Sequence, residues 1–420
     1  MVGLGLLKFG NVVMLRHLLT PPGNPLEWII FLWPLEYTVL PVVCLFVFAA
    51  PGFRWRTLRP AWLVPALLGW LGWQWLSAMQ SMAPDLSVPV ALHFTACAGF
   101  FVLGAFCLGR SDIPGQFWIP VLIAMLLVLA SGFEQHFGGL QRSRLQFELY
   151  VLPTLPEAPV ELIKRFEGGR IYSTLFYPNT LAGAILLLTP PLLAYVWSME
   201  RAFTIGARLF IACALGLASA ACLVWSGSKG GWLLALIQVV LALLQLRFSR
   251  RLKTVMTIVL VLVGLSAFAW RYSGYFKKGA TSVGARYDYW RAAVQTAAAH
   301  PVLGSGPGSF GRVYAQIRRP DSEMTRVVHN DYLQQASDSG LPGFVLFAGF
   351  VIGAIVVGYH PVRVGGGGWL PFCVWLGVLG WGLQGLMEFG LYIPAMAWPG
   401  FTFLGWLAGN ASGCRIQADA

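Results

Sequence analysis

Three residues in the second half of the chain, Lys229, Arg286 and His329, carry side chains suited to proton transfer and anion chemistry. An imidazole titrates near neutral pH and so can take a proton from an attacking hydroxyl. A guanidinium or an ammonium can hold a phosphate and stabilise the negative charge that grows on a leaving group. Each residue also has a purely structural reading. Lys229, in Ser226-Gly-Ser-Lys-Gly-Gly-Trp232, borders an apolar stretch, where a lysine either snorkels to the interface or serves a site. Arg286 opens Arg286-Tyr-Asp-Tyr-Trp290 and shares a helical face with Trp290, Ala293 and Ala297, while Asp288 and Gln295 point elsewhere. An arginine aimed at a packing face needs either a carboxylate or an anionic ligand. His329 is either a capping or surface histidine or a general base.

Gly306, Gly308 and Gly311 spell GxGxxG within Gly304-Ser-Gly-Pro-Gly-Ser-Phe-Gly311. No strand precedes them, so the dinucleotide reading fails, leaving a tight turn or a backbone nest for a phosphate. No cluster of His, Cys, Asp or Glu has metal-ligand spacing, and no cofactor is expected.

Two helices must position these groups. Arg286 to Ala299 reads as one that stops before His300-Pro301, because a residue preceding proline avoids helical geometry. A second begins after His329, with Asn330 as N-cap and Asp331 in its first turn, and ends near Gly340 ahead of Pro342. His329 then lies just outside a helix N-terminus, a place that favours anions.

The surrounding chain fixes the setting. Of 420 residues, 57% are hydrophobic and 11% charged, against roughly one quarter charged in soluble domains. Apolar stretches of about twenty residues, each enough to cross ~30 Å of hydrocarbon as a helix, recur throughout. They lie near 28–50, 60–82, 88–109, 116–133, 177–197, 207–226, 230–246, 252–270, 341–359, 369–389 and 391–409. The fold class is therefore an all-α integral membrane protein of about eleven transmembrane helices (ten to twelve). Residues 1–420 make a single polytopic domain with two long outer loops, 134–176 and 271–340, that contain short helices. The opening segment, broken by Lys8, Asn11, Arg16 and His17, reads as an amphipathic helix at the interface.

Arg54, Arg56 and Arg59 fall in one short connection, Arg201 and Arg208 in another, and Arg247, Arg250, Arg251 and Lys253 in a third. Cytoplasmic connections carry the excess of Lys and Arg, so these define the inner side and the long loops face outward. Topology thus absorbs most of the formal charge of +12, and nucleic acid is not an expected partner. None of the seven cysteines falls in the outer loops, so no disulfide framework is expected there. Glu27, Glu36, Asp85, His93 and Glu388 are the ionisable groups in or bordering the spans, functional suspects because charge is costly in a bilayer. They form no evident relay, which a solute transporter, the competing class, would want.

Several short segments together resemble the O-antigen ligase and polymerase superfamily of bacterial membrane glycosyltransferases. They are Phe176-Tyr-Pro-Asn179, the Ser226–Trp232 and Arg286–Trp290 segments, His300-Pro-Val-Leu-Gly-Ser-Gly-Pro-Gly308, and His329-Asn-Asp-Tyr-Leu-Gln334 with Asp338-Ser-Gly340 behind it. The resemblance covers about residues 170–345 and implies a GT-C-like fold in the bacterial inner membrane with a periplasmic site. It implies transfer of a glycan from undecaprenyl diphosphate to an acceptor hydroxyl without a metal. The acceptor is the lipid A core in ligases, a repeat unit in polymerases, and a protein serine or another glycan in related enzymes. Carried over residue by residue, it makes Lys229, Arg286 and His329 catalytic, with Arg291, Asn179, Trp290, Asn330, Tyr332, Gly306 and Gly308 binding substrate. Lysine stands at 229 where the family pattern has arginine, and lysine lacks the bidentate fork.

Overall fold

The computed structural model describes residues 1–19, 21–50, 53, 58, 60–108, 114–146, 148–149, 168–277, 281–359 and 368–416, which form helices and turns with no strand among them. In chain order the helices that matter are α1 (Val2–Lys8), α2 (Pro25–Ile30), α3 (Val39–Ala49), α4 (Leu63–Met79), α5 (Pro84–Phe106), α6 (Pro114–Glu134) and α7 (Leu140–Gln146). They continue with α8 (Pro178–Ser198), α9 (Ile205–Trp225), α10 (Lys229–Gln245), α11 (Arg250–Lys277), α12 (Thr281–Ala299) and α13 (Phe310–Ile317). The last three are α14 (Asp331–Val357), α15 (Trp369–Gln384) and α16 (Pro394–Ile416).

Six helices among the described residues are long and apolar enough to cross a membrane: Pro84–Phe106, Gly115–Leu145, Pro178–Ser198, Ile205–Trp225, Arg250–Lys277 and Asp331–Val357. Leu35–Ala49, Lys229–Gln245 and Trp369–Gln384 are shorter apolar helices. The chain is a multi-pass membrane protein. Its core is helix against helix, and small residues set the closest approaches. On α5 and α16, a Cβ at Gly104 would overlap the Thr402 carbonyl, and one at Gly405 the Phe101 carbonyl. Close backbone contact of this kind supplies the dispersion energy that holds helices together in lipid.

Two expectations are corrected. The opening segment is not an interfacial helix. Instead α1 is buried between α6 and α16, where Gly3 faces Pro120 and Gly5 faces Trp398. The stretch expected to span at 28–50 is broken, because Pro34 separates α2 from the turn that leads into α3. The helix after His329 breaks near Gly340, where its end was expected: Ser339 and Gly340 leave helical geometry (Gly340 φ 73°), and helical structure resumes beyond the break to Val357. A side chain at Gly340 would strike the Val302 carbonyl, so glycine supplies both the turn and the clearance.

Successive long helices alternate in direction. The starts of α8, α10 and α14 and the ends of α9, α11 and α15 therefore gather at one end of the bundle. The basic turns around Arg201 and Arg247 lie at the opposite end. The connection carrying Arg54, Arg56 and Arg59 lies outside the described residues, as do residues 150–167 of the first long loop.

Candidate functional site

At the gathered end lies a cavity of about 350 Å³ lined by Arg170, Asn179, Lys229, Arg286, Tyr289, His329, Gln384 and Glu388, among others. Lys229, Arg286 and His329, far apart in sequence, thus share one space.

His329 occupies the link between α13 and α14. Asn330 caps α14, its side chain accepting from the Leu333 amide at 3.0 Å. The cap requires extended backbone at Asn330, and His329 just before it takes φ 54°, a left-handed conformation that costs energy in a non-glycine residue. The ring lies parallel to Tyr289, with centroids 5.9 Å apart, and edge-on to Phe389 at 4.8 Å. Its Nδ1 is 3.5 Å from Glu388 Oε2.

Glu388 is the hub. It sits in the turn after α15, outside the helix whose span the sequence had carried to residue 389. Its Oε1 accepts from Arg286 Nη2, in an ion pair whose side chains are 24% and 12% exposed, and from Asn179 Nδ2 at 2.7 Å. Burial by itself raises the Glu388 carboxyl. The Arg286 guanidinium, then His329 and Arg170, outweigh it and hold the group below its ordinary value, so it stays ionised. Arg286 therefore has the carboxylate partner that a packing-face arginine requires.

Arg170 comes from the segment before α8. Its Nε donates to the Ser226 carbonyl at 2.7 Å and its Nη2 to Asn179 Oδ1 at 2.6 Å. Gly227, at φ 60°, admits it: a Cβ there would lie 3.2 Å from Arg170 Nε. Burial, and to a lesser degree the nearby Arg286, lowers the Arg170 pKa, while Glu388 opposes the shift.

Lys229 opens α10, after Ser228, whose hydroxyl caps the helix by accepting from the Gly231 amide. Its Nζ stands 3.7 Å from the Tyr275 ring centroid and 5.4 Å from that of Tyr272, both near the end of α11. Aromatic faces hold the charge without consuming its N–H donors. The cavity thus presents Arg170, Lys229 and Arg286 against Glu323 and Glu388. The N-terminal ends of α8, α10 and α14 add partial positive charge. This arrangement can take an anion and deliver a base beside it. Among the described residues no group of three or more His, Cys, Asp or Glu could hold a metal ion.

The remaining sequence candidates are placed as follows. Asn179 lines the cavity with both ends of its amide committed, to Arg170 and Glu388. Arg291 is exposed and does not line it. Trp290 packs against the small core formed by Tyr289, Phe310 and Tyr314. Tyr332 donates to the Gly382 carbonyl at 3.0 Å. The Gly308 amide donates to Asp338 Oδ2 at 2.7 Å and the Gly306 amide to the Asp338 carbonyl at 2.8 Å, so this loop spends its donors on α14. Sequence reasoning did not select Arg170 for the site and knew Glu388 only as an acid bordering a span.

Residues 213–348, roughly a third of the chain, match the family model of the O-antigen ligases. No curated protein matches the chain. The matched region contains Lys229, Arg286 and His329, while Arg170, Asn179 and Glu388 lie outside it.

Proposed function

We propose that this multi-pass membrane protein, carrying an O-antigen ligase domain at residues 213–348, transfers a glycan from undecaprenyl diphosphate to the hydroxyl of the lipid A core at the periplasmic face of the inner membrane. The observation that carries the reading is one cavity holding three cations, a histidine and the carboxylate that orients it.

Lys229 and Arg286 hold the donor diphosphate, favoured there by the surrounding helix N-termini. Glu388 keeps the His329 proton on Nδ1, leaving the lone pair on Nε2. The acceptor oxygen bonds to the anomeric carbon of the donor sugar as the bond from that carbon to the diphosphate oxygen breaks. The hydroxyl proton passes to His329 Nε2, and the electron pair of the broken bond leaves on the diphosphate. Arg286 and Lys229 face charge that increases along this path, so they bind the transition state more tightly than the ground state. Before the donor arrives, Glu388 occupies Arg286 and keeps a cavity of like charges from being left unbalanced.

The test is transfer in detergent from a lipid-linked glycan to purified lipid A core. Product with wild-type protein and none with His329→Ala supports the reading; undiminished product from His329→Ala refutes the base assignment. The lipopolysaccharide of a deletion strain tests the acceptor: a bare core with glycan stranded on its carrier marks a ligase, and a core bearing a single unit marks a polymerase.

A further inference from the structure

Arg170 lies outside the matched region and reaches the cavity from a different segment from the three candidate catalytic residues. Its guanidinium is spent on protein acceptors, the Ser226 carbonyl and Asn179 Oδ1. That second contact matters because an asparagine amide can be turned over. With Arg170 donating to Oδ1, Nδ2 must face Glu388, and it does, at 2.7 Å on Oε1. The Asn179 backbone is fixed as well, its carbonyl accepting from Gln384 Nε2 at 2.8 Å. Asn179 and Arg286 together occupy Oε1, which leaves Oε2 for His329 Nδ1.

We propose that Arg170 is a positioning residue that works through Asn179: it fixes the amide so that Glu388 presents one oxygen to Arg286 and the other to the base. This rests on the glycan-transfer reading above. It gives the cavity's third cation a different task from the other two, since Arg170 orients the base while Lys229 and Arg286 take the diphosphate. The fork is essential, because two acceptors on separate segments must be held at once by one rigid group.

Two variants separate this role from a donor ligand and from a general structural prop. Arg170→Lys keeps the charge but not the fork. Asn179→Asp keeps an acceptor for Arg170 but loses the donor to Glu388. In the transfer assay both lower kcat at least tenfold while the KM for donor stays within about twofold, given that the base supplies ~10²–10⁴ of the rate. A raised donor KM with kcat unchanged would make Arg170 a phosphate ligand and overturn the proposal, as would wild-type kinetics in Arg170→Lys. A second readout needs no substrate. At one fixed pH, diethyl pyrocarbonate modifies His329 at a rate set by its orientation and its partner. Mass spectrometry of the peptide carrying His329 should show severalfold slower modification in both variants, with unfolding midpoints in detergent close to wild type. An unchanged modification rate overturns the positioning role. A wild-type protein that transfers no glycan while both variants slow the modification overturns the glycan-transfer reading alone.

Discussion

Replacing Glu388 by glutamine tests the centre of the site with the loss of one charge and little change of shape. The carboxylate accepts from Arg286 and Asn179 on Oε1 and approaches His329 Nδ1 with Oε2. A glutamine has one oxygen. If it remains with Arg286 and Asn179, its NH2 faces Nδ1, and the imidazole must move its proton to Nε2 to accept that bond. The lone pair needed for proton abstraction is then gone. A general base contributes ~10²–10⁴ in rate, and holding a histidine in the wrong tautomer costs up to ~10⁴ in a triad. The expected fall in kcat for Glu388→Gln is therefore about 10²–10⁴, or ~3–5 kcal/mol. Arg286 meanwhile loses a competing anion, so donor KM should stay level or fall. Initial rates with lipid-linked glycan and acceptor, each varied in turn, read both quantities. A kcat within about threefold of wild type, or a rise in donor KM as the main effect, would refute the reasoning.

The ion pair makes a further prediction about pH. The Glu388 carboxyl is held below its ordinary value of 4.5, so its contribution to stability is fully present above that value and is lost as pH falls through the lower, folded-state value. The unfolding midpoint in detergent should fall on acidification below 4.5, and Glu388→Gln should lose less over the same range. Arg286→Ala should abolish transfer while leaving the protein in the membrane, as immunoblots of membrane fractions would show; full activity would remove Arg286 from the mechanism. Gly227→Ala forces a side chain into left-handed backbone, at a cost of ~1–2 kcal/mol, and brings a Cβ to 3.2 Å from Arg170 Nε. A lower unfolding midpoint together with reduced kcat is the expected pair of outcomes, measured by thermal unfolding and initial rates.

What the sequence showed and what it hid divide along physical lines. Apolar length is a local property, and six of the stretches read as spans lie in helices long and apolar enough to cross a bilayer. Capping is local too: the Asn330 cap and the stop at Ala299 stand where the residues put them. The break at Gly340 was legible from the glycine and the proline behind it, but its contact with the Val302 carbonyl exists only in the folded bundle. Burial of α1 likewise depends on Gly3 and Gly5 finding partners on α6 and α16. Within the site, His329 and Arg286 could be suspected from residue type and helix position. Glu388 carried a weaker signal, an acid beside an apolar stretch where charge is costly. Arg170 carried almost none. It follows Gly168-Gly169, and nothing local tells that its guanidinium will bridge Ser226 and Asn179.

The lysine at 229 follows from the same arrangement. A site that needed two forks on the donor would be weakened by an ammonium there, because lysine meets a phosphate as a point charge. Here Arg170 spends its fork bridging two segments of the chain, and Arg286, held in the cavity by Glu388, already brings a fork to the diphosphate. The remaining cation has only to supply charge, and the Tyr275 face, 3.7 Å from Nζ, holds it at the cavity wall while its N–H donors stay available. Replacing Lys229 by arginine would set a planar group against Tyr272 and Tyr275 within a space that already holds Arg170 and Arg286. The bulkier fork crowds the two arginines without filling an unmet need. The tyrosine pair at the end of α11 and the lysine at the start of α10 thus work as one unit, and Lys229→Arg with both tyrosines kept should lower kcat instead of raising it.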